Sequence, residues 1–270
     1  MRIRVAVTWA AAVLFLLAPP AHGTLVGEFN ARLKDVKRSY GAYTVVADAR
    51  VYDTTGAPPP PLTKAIVHFP RGASLRPQFL NHRFFCDPAP LEITPNPALC
   101  RSAHFASGTI VLDARPHILE PFSADVHLFL GRGTGGALAS VVTLVIPNEL
   151  TPAYAFQVLE GRLYNRSIAG RRFGYRLELP TAVKPLIPGL VLHLAEIHLK
   201  IDGLALRRRG RAPLFWTKVP HCPRSRKVSF EADYAFEGAE PISRRRNVDC
   251  RRFIRRPSVQ REGEIPGAPR

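Results

Sequence analysis

The segment Lys227-Val-Ser-Phe-Glu-Ala-Asp-Tyr-Ala-Phe-Glu237 decides the fold class of this chain. Every second residue is apolar, beginning at Val228 and ending at Phe236, and the residues between them are polar or small. This period of two predicts a β-strand with one buried face, because successive side chains of a strand point to opposite sides of a sheet. Gly238 ends the pattern, and residues 241–250 are predicted to return as the antiparallel partner strand.

Similar β-type patterns extend toward the N-terminus. Alternation is clear in residues 40–52 and 172–179, and further β-type runs occupy 64–69, 109–113, 124–130, 138–146, 153–159 and 190–201. Residues 24–39 show no clear period and are expected to form a solvent-exposed lead-in. About ten short strands without a helical period predict an all-β fold, an antiparallel β-sandwich that is either Ig-like or an open-barrel variant.

The first 23 residues have the features of a secretory leader. Arg2 and Arg4 precede an uncharged apolar run of about 14 residues, and small residues occupy the two positions that govern cleavage before Thr24. A membrane anchor is the alternative, but a span needs about 20 apolar residues. We therefore predict a signal peptide over 1–23, a single β-sandwich domain over 24–250, a disordered basic tail over 251–270, and no transmembrane span after cleavage.

The four cysteines are Cys86, Cys100, Cys222 and Cys250, and three pairings of them are conceivable. In an exported protein the short-range pairing of Cys86 with Cys100 and Cys222 with Cys250 is favoured, and each closure is worth roughly 3 to 4 kcal/mol. A structural zinc site needs two cysteines separated by about two to four residues, and neither pair has that spacing. The sequence therefore predicts two local disulfides in a secreted or extracytoplasmic protein.

The glycine-rich segment Gly131-Arg-Gly-Thr-Gly-Gly136 lies between two β-type runs and predicts a hairpin connection. Gly131, Gly133 and Gly136 also match the spacing of a dinucleotide-binding fingerprint. That fingerprint requires a following helix and an acidic ribose partner, and a P-loop would require a lysine after the last glycine. Because none of these follows, we expect no cofactor.

Catalytic and metal motifs are weak in this chain. His193, Glu196 and His198 are the nearest approach to a metal-ligand set, but strict alternation would place His193 on the opposite face from the other two. Paired carboxylates for glycoside hydrolysis can meet in space from distant positions. The available acids are Glu178, Glu196, Glu231, Asp233 and Glu237. We favour cross-strand ion pairs between the last three and arginines 244–246, so no catalytic or metal residues are assigned.

Basic residues are the strongest functional feature, because the formal net charge is +17. Three basic clusters stand out, namely Arg207, Arg208, Arg209 and Arg211, then Arg244, Arg245 and Arg246, and finally residues 251–256 of the predicted tail. One interpretation is that they keep the protein soluble and line turns. The other is that they bind an anionic polymer or lipid surface of the cell envelope. Export argues against a nucleic-acid partner, and the sequence defines no oligomeric state.

Five short motifs occur in order along the chain. They are His68-Phe-Pro-Arg-Gly72, Cys86 with Cys100, Ser107-Gly-Thr109, Ile187-Pro-Gly189, and His221-Cys-Pro223 with Cys250. Together they resemble a family of uncharacterised exported β-rich proteins from high-GC bacteria. The resemblance implies export and a β fold, and it carries no activity or catalytic residues.

The sequence is therefore compatible with two functions from different classes. The first is a non-enzymatic exported β-sandwich protein that associates with the cell envelope or with anionic polymers. The second is an exported glycan hydrolase that uses paired carboxylates. A cleft with two acids about 5 to 10 Å apart would favour the second.

Overall fold

A computed structural model describes residues 23–37, 42–71, 73–75, 84–115, 120–148, 156–164, 173–179, 191–202, 205–208, 211–215, 217–218 and 222–250. The fold is all-β and antiparallel, as the alternation predicted. The predicted signal peptide and basic tail lie outside the described residues, as does the Ile187-Pro-Gly189 motif.

Strands occupy most of the described chain. They are β1 (Leu25–Lys37), β2 (Ala42–Asp53), β3 (Leu62–Pro70), β4 (Ser74–Leu75), β5 (His104–Asp113), β6 (Phe122–Gly131), β7 (Ala139–Pro147), β8 (Gln157–Tyr164), β9 (Phe173–Leu179), β10 (His193–Ile201), β11 (Ala205–Arg208), β12 (Arg211–Phe215), β13 (Thr217–Lys218), β14 (Lys227–Phe236) and β15 (Ala239–Asp249). One short helix, α1 (Ala89–Ile93), and a 3₁₀ turn (Pro97–Cys100) lie between β4 and β5.

Eleven strands form one sheet in the order β1-β2-β10-β5-β6-β7-β8-β9-β3-β14-β15. Every neighbouring pair is antiparallel, so an odd number of strands makes β1 and β15 run in the same direction. These two edge strands lie side by side without a backbone ladder. The sheet is therefore an open barrel with one seam, because no described ladder joins its two parallel edge strands.

Side chains close the seam between β1 and β15. Arg244 donates from Nε to the carbonyl oxygen of Gly27 over 2.7 Å. A Cβ atom on Gly27 would lie 3.1 Å from Cγ2 of Ile242, which is tighter than ordinary contact, so the close approach of the two strands favours glycine here.

The inward side chains of the sheet form the barrel core. Its most deeply buried large members are Phe69, Phe230, Leu112, Leu128, Leu130, Leu163, Leu177 and Val141. The ring of Phe69 stacks on Tyr175 with centroids 4.1 Å apart, and Phe230 meets Phe69 edge-on at 5.8 Å. The strict alternation of β14 supplies Phe230 to this core, because its buried residues are every second one.

A second apolar cluster covers the outer face of β6 and β7. Residues 84–103, which we call the disulfide loop, place Leu91 against Phe129 and Leu144. Backbone bonds fix this loop at Leu130, which accepts from Cys86 N over 2.8 Å and donates to Ala103 O over 2.9 Å. The outer faces of β6 and β7 are therefore apolar because the disulfide loop covers them.

The predicted lead-in over 24–39 is wrong, because β1 occupies most of that segment and pairs with β2 along its length. Its inward positions are Leu25, Gly27, Phe29, Ala31 and Leu33, and the small side chains of Gly27 and Ala31 weaken the alternation of the larger apolar residues. The long connection before β5 is not wholly irregular either, because α1 and the 3₁₀ turn lie within it.

Candidate functional site

Both predicted disulfides are present. Cys86 bonds to Cys100 and Cys222 to Cys250, with Cα atoms 5.2 and 5.7 Å apart. The second bridge joins the start of the β14–β15 hairpin to its end, where Cys250 N also donates to Arg226 O over 2.8 Å. Two cross-links of this kind are compatible with an oxidising, extracytoplasmic location.

The first arginine cluster lies on a two-stranded hairpin outside the main sheet. Strands β11 and β12 pair with each other and with no other strand that the structure describes, and Arg208 is directly opposite Arg211 in their register. Arg209 and Gly210 separate them in sequence and lie outside the described residues. We call β11 and β12 the arginine hairpin, because its strands hold Arg207, Arg208 and Arg211.

The second arginine cluster lies on the edge strand β15, and its members alternate in direction. Arg244 and Arg246 pair in register with Ala232 and Phe230, so they are on the barrel-core side, whereas Arg245 is on the outer side. Charged residues on the inward side of an edge strand disfavour pairing with another sheet. These arginines therefore disfavour pairing of the β15 edge with a strand from another sheet.

The contacts of the three β15 arginines also differ. Arg244 donates to Gly27 O and to Ser243 O. Arg245 Nε lies 3.7 Å from Oε2 of Glu231, which confirms cross-strand ion pairing for that arginine. Arg246 is exposed and has no side-chain hydrogen bond or ion pair with the residues that the structure describes. Of this cluster, Arg246 has the guanidinium most available to an external anion.

Most of the acids considered for catalysis are engaged with basic side chains. Glu178 lies 2.8 Å from Arg176, and Asp233 lies 2.8 Å from Nε2 of His68, which is largely buried. The hydrogen bond from His68 lowers the pKa of Asp233, because it stabilises the carboxylate. The Glu231–Arg245 and Asp233–His68 contacts are cross-strand pairs, whereas Glu178 pairs with Arg176 of its own strand and lies 3.9 Å from Lys64 of β3. These acids therefore serve mainly in ion pairs on the outer face of the sheet.

A network of charged side chains covers the outer face of β1, β2 and β10. Asp48 lies 3.0 Å from Arg32 and 3.1 Å from Nδ1 of His198, and Glu196 lies 3.1 Å from Arg50. The hydrogen bond with Asp48 raises the pKa of His198, because the carboxylate favours the imidazolium form. These groups are substantially exposed, so each pair contributes little to stability.

The prediction that His193 faces away from Glu196 and His198 is wrong. The register of β10 against β5 shifts between Leu194 and Glu196, and the extra residue resets the alternation. His193 therefore shares the outer face with Glu196 and His198. Even so, no group of three His, Cys, Asp or Glu side chains suited to a metal ion occurs within the described ranges.

Two histidines lie close together beside the disulfide loop. Nδ1 of His127 is 3.3 Å from Nε2 of His104, and the ring of His104 packs against Phe129. Burial lowers the pKa of both imidazoles, and the neighbouring His127 lowers that of His104 further. The pair therefore favours neutral rings, in which the N–H of one ring donates a hydrogen bond to the bare nitrogen of the other.

A polar cleft lies between the disulfide loop and the glycine-rich hairpin that connects β6 to β7. It has a volume of about 500 Å³ and includes Asp87, Arg132, Ser140 and Glu160 in its lining, with Phe85 at one side. The hairpin prediction for residues 131–136 is confirmed, because β6 pairs directly with β7. Sequence reasoning missed the cleft, since its walls come from three segments that are distant in the chain.

Together these features define an all-β, disulfide-linked open barrel with a basic hairpin outside its main sheet. Within the described residues, no helix has the length and apolar composition needed to cross a bilayer. No family model, curated protein or solved structure matches this chain.

Proposed function

We propose that the protein is a non-enzymatic, extracytoplasmic binding protein that attaches to anionic polymers or lipid headgroups of the cell envelope through the arginine hairpin. The observation that carries this proposal is the register of β11 and β12, in which Arg208 stands directly opposite Arg211. Like charges opposite each other destabilise a strand pair. A phosphate or carboxylate group bound between them relieves that repulsion.

Three further features support the proposal. The formal net charge is +17, or 17 − 2 = +15 without Arg2 and Arg4 of the predicted leader, and it attracts a polyanion over distances of about a Debye length. Arg246 adds an exposed guanidinium without a partner among the described side chains. The two disulfides are compatible with an extracytoplasmic space, where wall polymers and anionic lipids are the prevailing polyanions and nucleic acid is not the expected partner.

Neutralising the hairpin should weaken binding to vesicles that contain phosphatidylglycerol. A basic side chain near such a surface contributes about 1 kcal/mol, so Arg208→Gln, Arg209→Gln and Arg211→Gln together should weaken binding by about 100-fold. Co-sedimentation of the disulfide-bonded protein with vesicles measures this. Binding should also fall steeply between low and high salt.

The matched control replaces Arg101, Arg224 and Lys227 by glutamine, which removes the same charge at three exposed positions outside the hairpin. This control should retain most of the binding. Equal weakening in both variants, or salt-insensitive binding, would contradict a role for the hairpin. Soluble polyphosphate separates the two ligand sources, because it competes strongly only if repeated phosphate groups suffice without a lipid surface.

A glycan hydrolase is the second candidate, and one observation favours it: Asp87 and Glu160 both line the polar cleft. Asp87 already accepts a hydrogen bond from Ala89 N over 3.2 Å, so Glu160 is the better candidate for proton transfer. Release of reducing ends from peptidoglycan should then fall by about 100-fold or more in Glu160→Gln and remain unchanged in the exposed control Glu92→Gln. Absence of hydrolysis by the unmodified protein would eliminate this candidate.

A further inference from the structure

The polar cleft beside the disulfide loop carries an excess of negative charge on an otherwise basic protein. Its lining includes two carboxylates, Asp87 and Glu160, and one guanidinium, Arg132. The chain as a whole has a formal net charge of +17. Because Arg132 can neutralise only one of the two acids, the other has no countercharge in the described wall. A ligand that complements the cleft should therefore bring one positive charge.

Both carboxylates have oxygens available to such a ligand. Glu160 is exposed and makes no hydrogen bond or ion pair with the residues that the structure describes. Arg162, two residues further along β8, interacts with Glu160 only at longer range. Asp87 accepts from Ala89 N with one oxygen, over 3.2 Å, and its second oxygen has no described partner. The acids of β9 and β14, in contrast, are already engaged with basic side chains.

A buried hydroxyl adds a second recognition element to the cleft. Ser140, near the start of β7, lines the cleft and is only 9% exposed. Its Oγ atom has no partner among the described residues, yet it is not fully enclosed. Gly131 makes room for it, because a Cβ atom at residue 131 would collide with Ser140 Oγ. Buried polar groups are usually hydrogen-bonded, and a ligand hydroxyl can supply the missing partner.

The size and the remaining lining of the cleft favour a sugar ring. Its volume of about 500 Å³ lies within the usual range for sites that hold small molecules. Phe85 and Pro88 contribute apolar surface, whereas Thr134 adds a hydroxyl to that of Ser140. A pyranose matches this mixture, because its ring carbons form an apolar face and its rim carries hydroxyl groups.

We propose that the polar cleft binds an amino sugar with a free ammonium group. The ammonium pairs with Glu160 and with the second oxygen of Asp87 through charge-assisted hydrogen bonds. Ser140 exchanges a hydrogen bond with a ring hydroxyl, and Phe85 packs on the apolar face of the ring. This site is separate from the arginine hairpin, does not depend on the proposed envelope binding, and requires no hydrolysis of the ligand.

The test compares glucosamine with glucose, which differ only by an ammonium or a hydroxyl group on one carbon. Titrations of the disulfide-bonded protein are followed through the backbone amide resonances of residues 85–87 and 132–134. Wild-type protein should bind glucosamine about tenfold more tightly, since charge-assisted hydrogen bonds are about twice as strong as neutral ones. General electrostatics would give the opposite order, because a basic protein repels a cation. Neither sugar has a glycosidic bond, so the result does not depend on hydrolysis.

Three variants assign the preference to the cleft. Glu160→Gln removes one carboxylate with little change in shape and should abolish the preference for glucosamine. Glu92→Gln is the matched control, because Glu92 is exposed in the disulfide loop and does not line the cleft, and it should keep the preference. Ser140→Ala should weaken binding of both sugars by about fivefold.

Four results would overturn the proposal. They are equal affinity for the two sugars in wild-type protein, no shift of the amide resonances with either sugar, an unchanged preference in Glu160→Gln, and unchanged affinities in Ser140→Ala. Loss of the preference in Glu92→Gln would also count against the cleft, because that variant leaves its lining intact.

Discussion

Phe230→Ala should lower the free energy of unfolding by about 3–5 kcal/mol, the usual cost of removing a fully buried phenyl ring. Phe230 is 0% exposed and its ring meets the edge of Phe69, which in turn stacks on Tyr175. The vacated space lies at the junction of β14, β3 and β9, where three strands hold the surrounding side chains and limit collapse. Urea denaturation followed by far-UV circular dichroism measures the loss.

Leu99→Ala is the control for this substitution. Leu99 is 53% exposed in the disulfide loop, so its truncation should change stability by less than about 0.5 kcal/mol. A loss below about 1 kcal/mol in Phe230→Ala would contradict the described barrel core, because no well-packed interior tolerates that cavity at so small a cost.

Removing the Cys222–Cys250 bridge should lower the free energy of unfolding by about 3–4 kcal/mol. The two cysteines are 28 residues apart, and the loop-entropy relation gives this magnitude for a closed loop of that length. Cys250 is also 5% exposed within the barrel core, so the replacement Cys222→Ala/Cys250→Ala loses some packing as well. Urea denaturation without reductant measures the difference.

Reductant provides the internal control for the disulfide prediction. The double variant keeps the Cys86–Cys100 bridge, whose shorter separation of 14 residues corresponds to about 3 kcal/mol. Reduction should therefore destabilise the variant less than it destabilises the wild-type protein, which loses both bridges. Equal destabilisation of the two proteins by reductant would show that the Cys222–Cys250 bridge contributes nothing.

The all-β class could be predicted because several strands keep a strict period of two. The alternation at 227–237 corresponds to β14, and the pattern at 172–179 corresponds to β9 within one residue at its start. Strand β1 was missed for a physical reason. Leu25, Phe29 and Leu33 alternate on its inward side, but two small residues interrupt them: Ala31, and Gly27, which leaves room for Ile242 at the seam.

The closure of the sheet could not be read from sequence patterns. The neighbours of β10 are β2 and β5, which precede it by many residues, so its position depends on long-range packing. The seam depends on which two strands are left as the edges, and no local pattern indicates that β1 and β15 lie side by side without a ladder. The bulge in β10 likewise changed the face of His193 without any glycine or proline to indicate it.

Some of the candidate sites could be predicted from local sequence patterns, and others depend on contacts between distant segments. Both disulfides are local pairs in an exported context, and sequence spacing alone was sufficient to favour them. The arginine clusters were also visible, but their different surroundings were not, since only the β14–β15 register separates Arg245 from Arg244 and Arg246. The polar cleft forms from segments distant in sequence, and no local pattern predicts it.

We propose that this chain works outside the cytoplasm as a disulfide-linked barrel. The most direct measurement is the intact mass of the protein recovered from bacteria that express all 270 residues, with and without alkylation of free thiols. If the leader is cleaved and both disulfides form, we expect a chain that begins at Thr24. Its four cysteines should take up alkyl groups only after reduction. A chain that retains residues 1–23 and is alkylated at all four cysteines before reduction would contradict it.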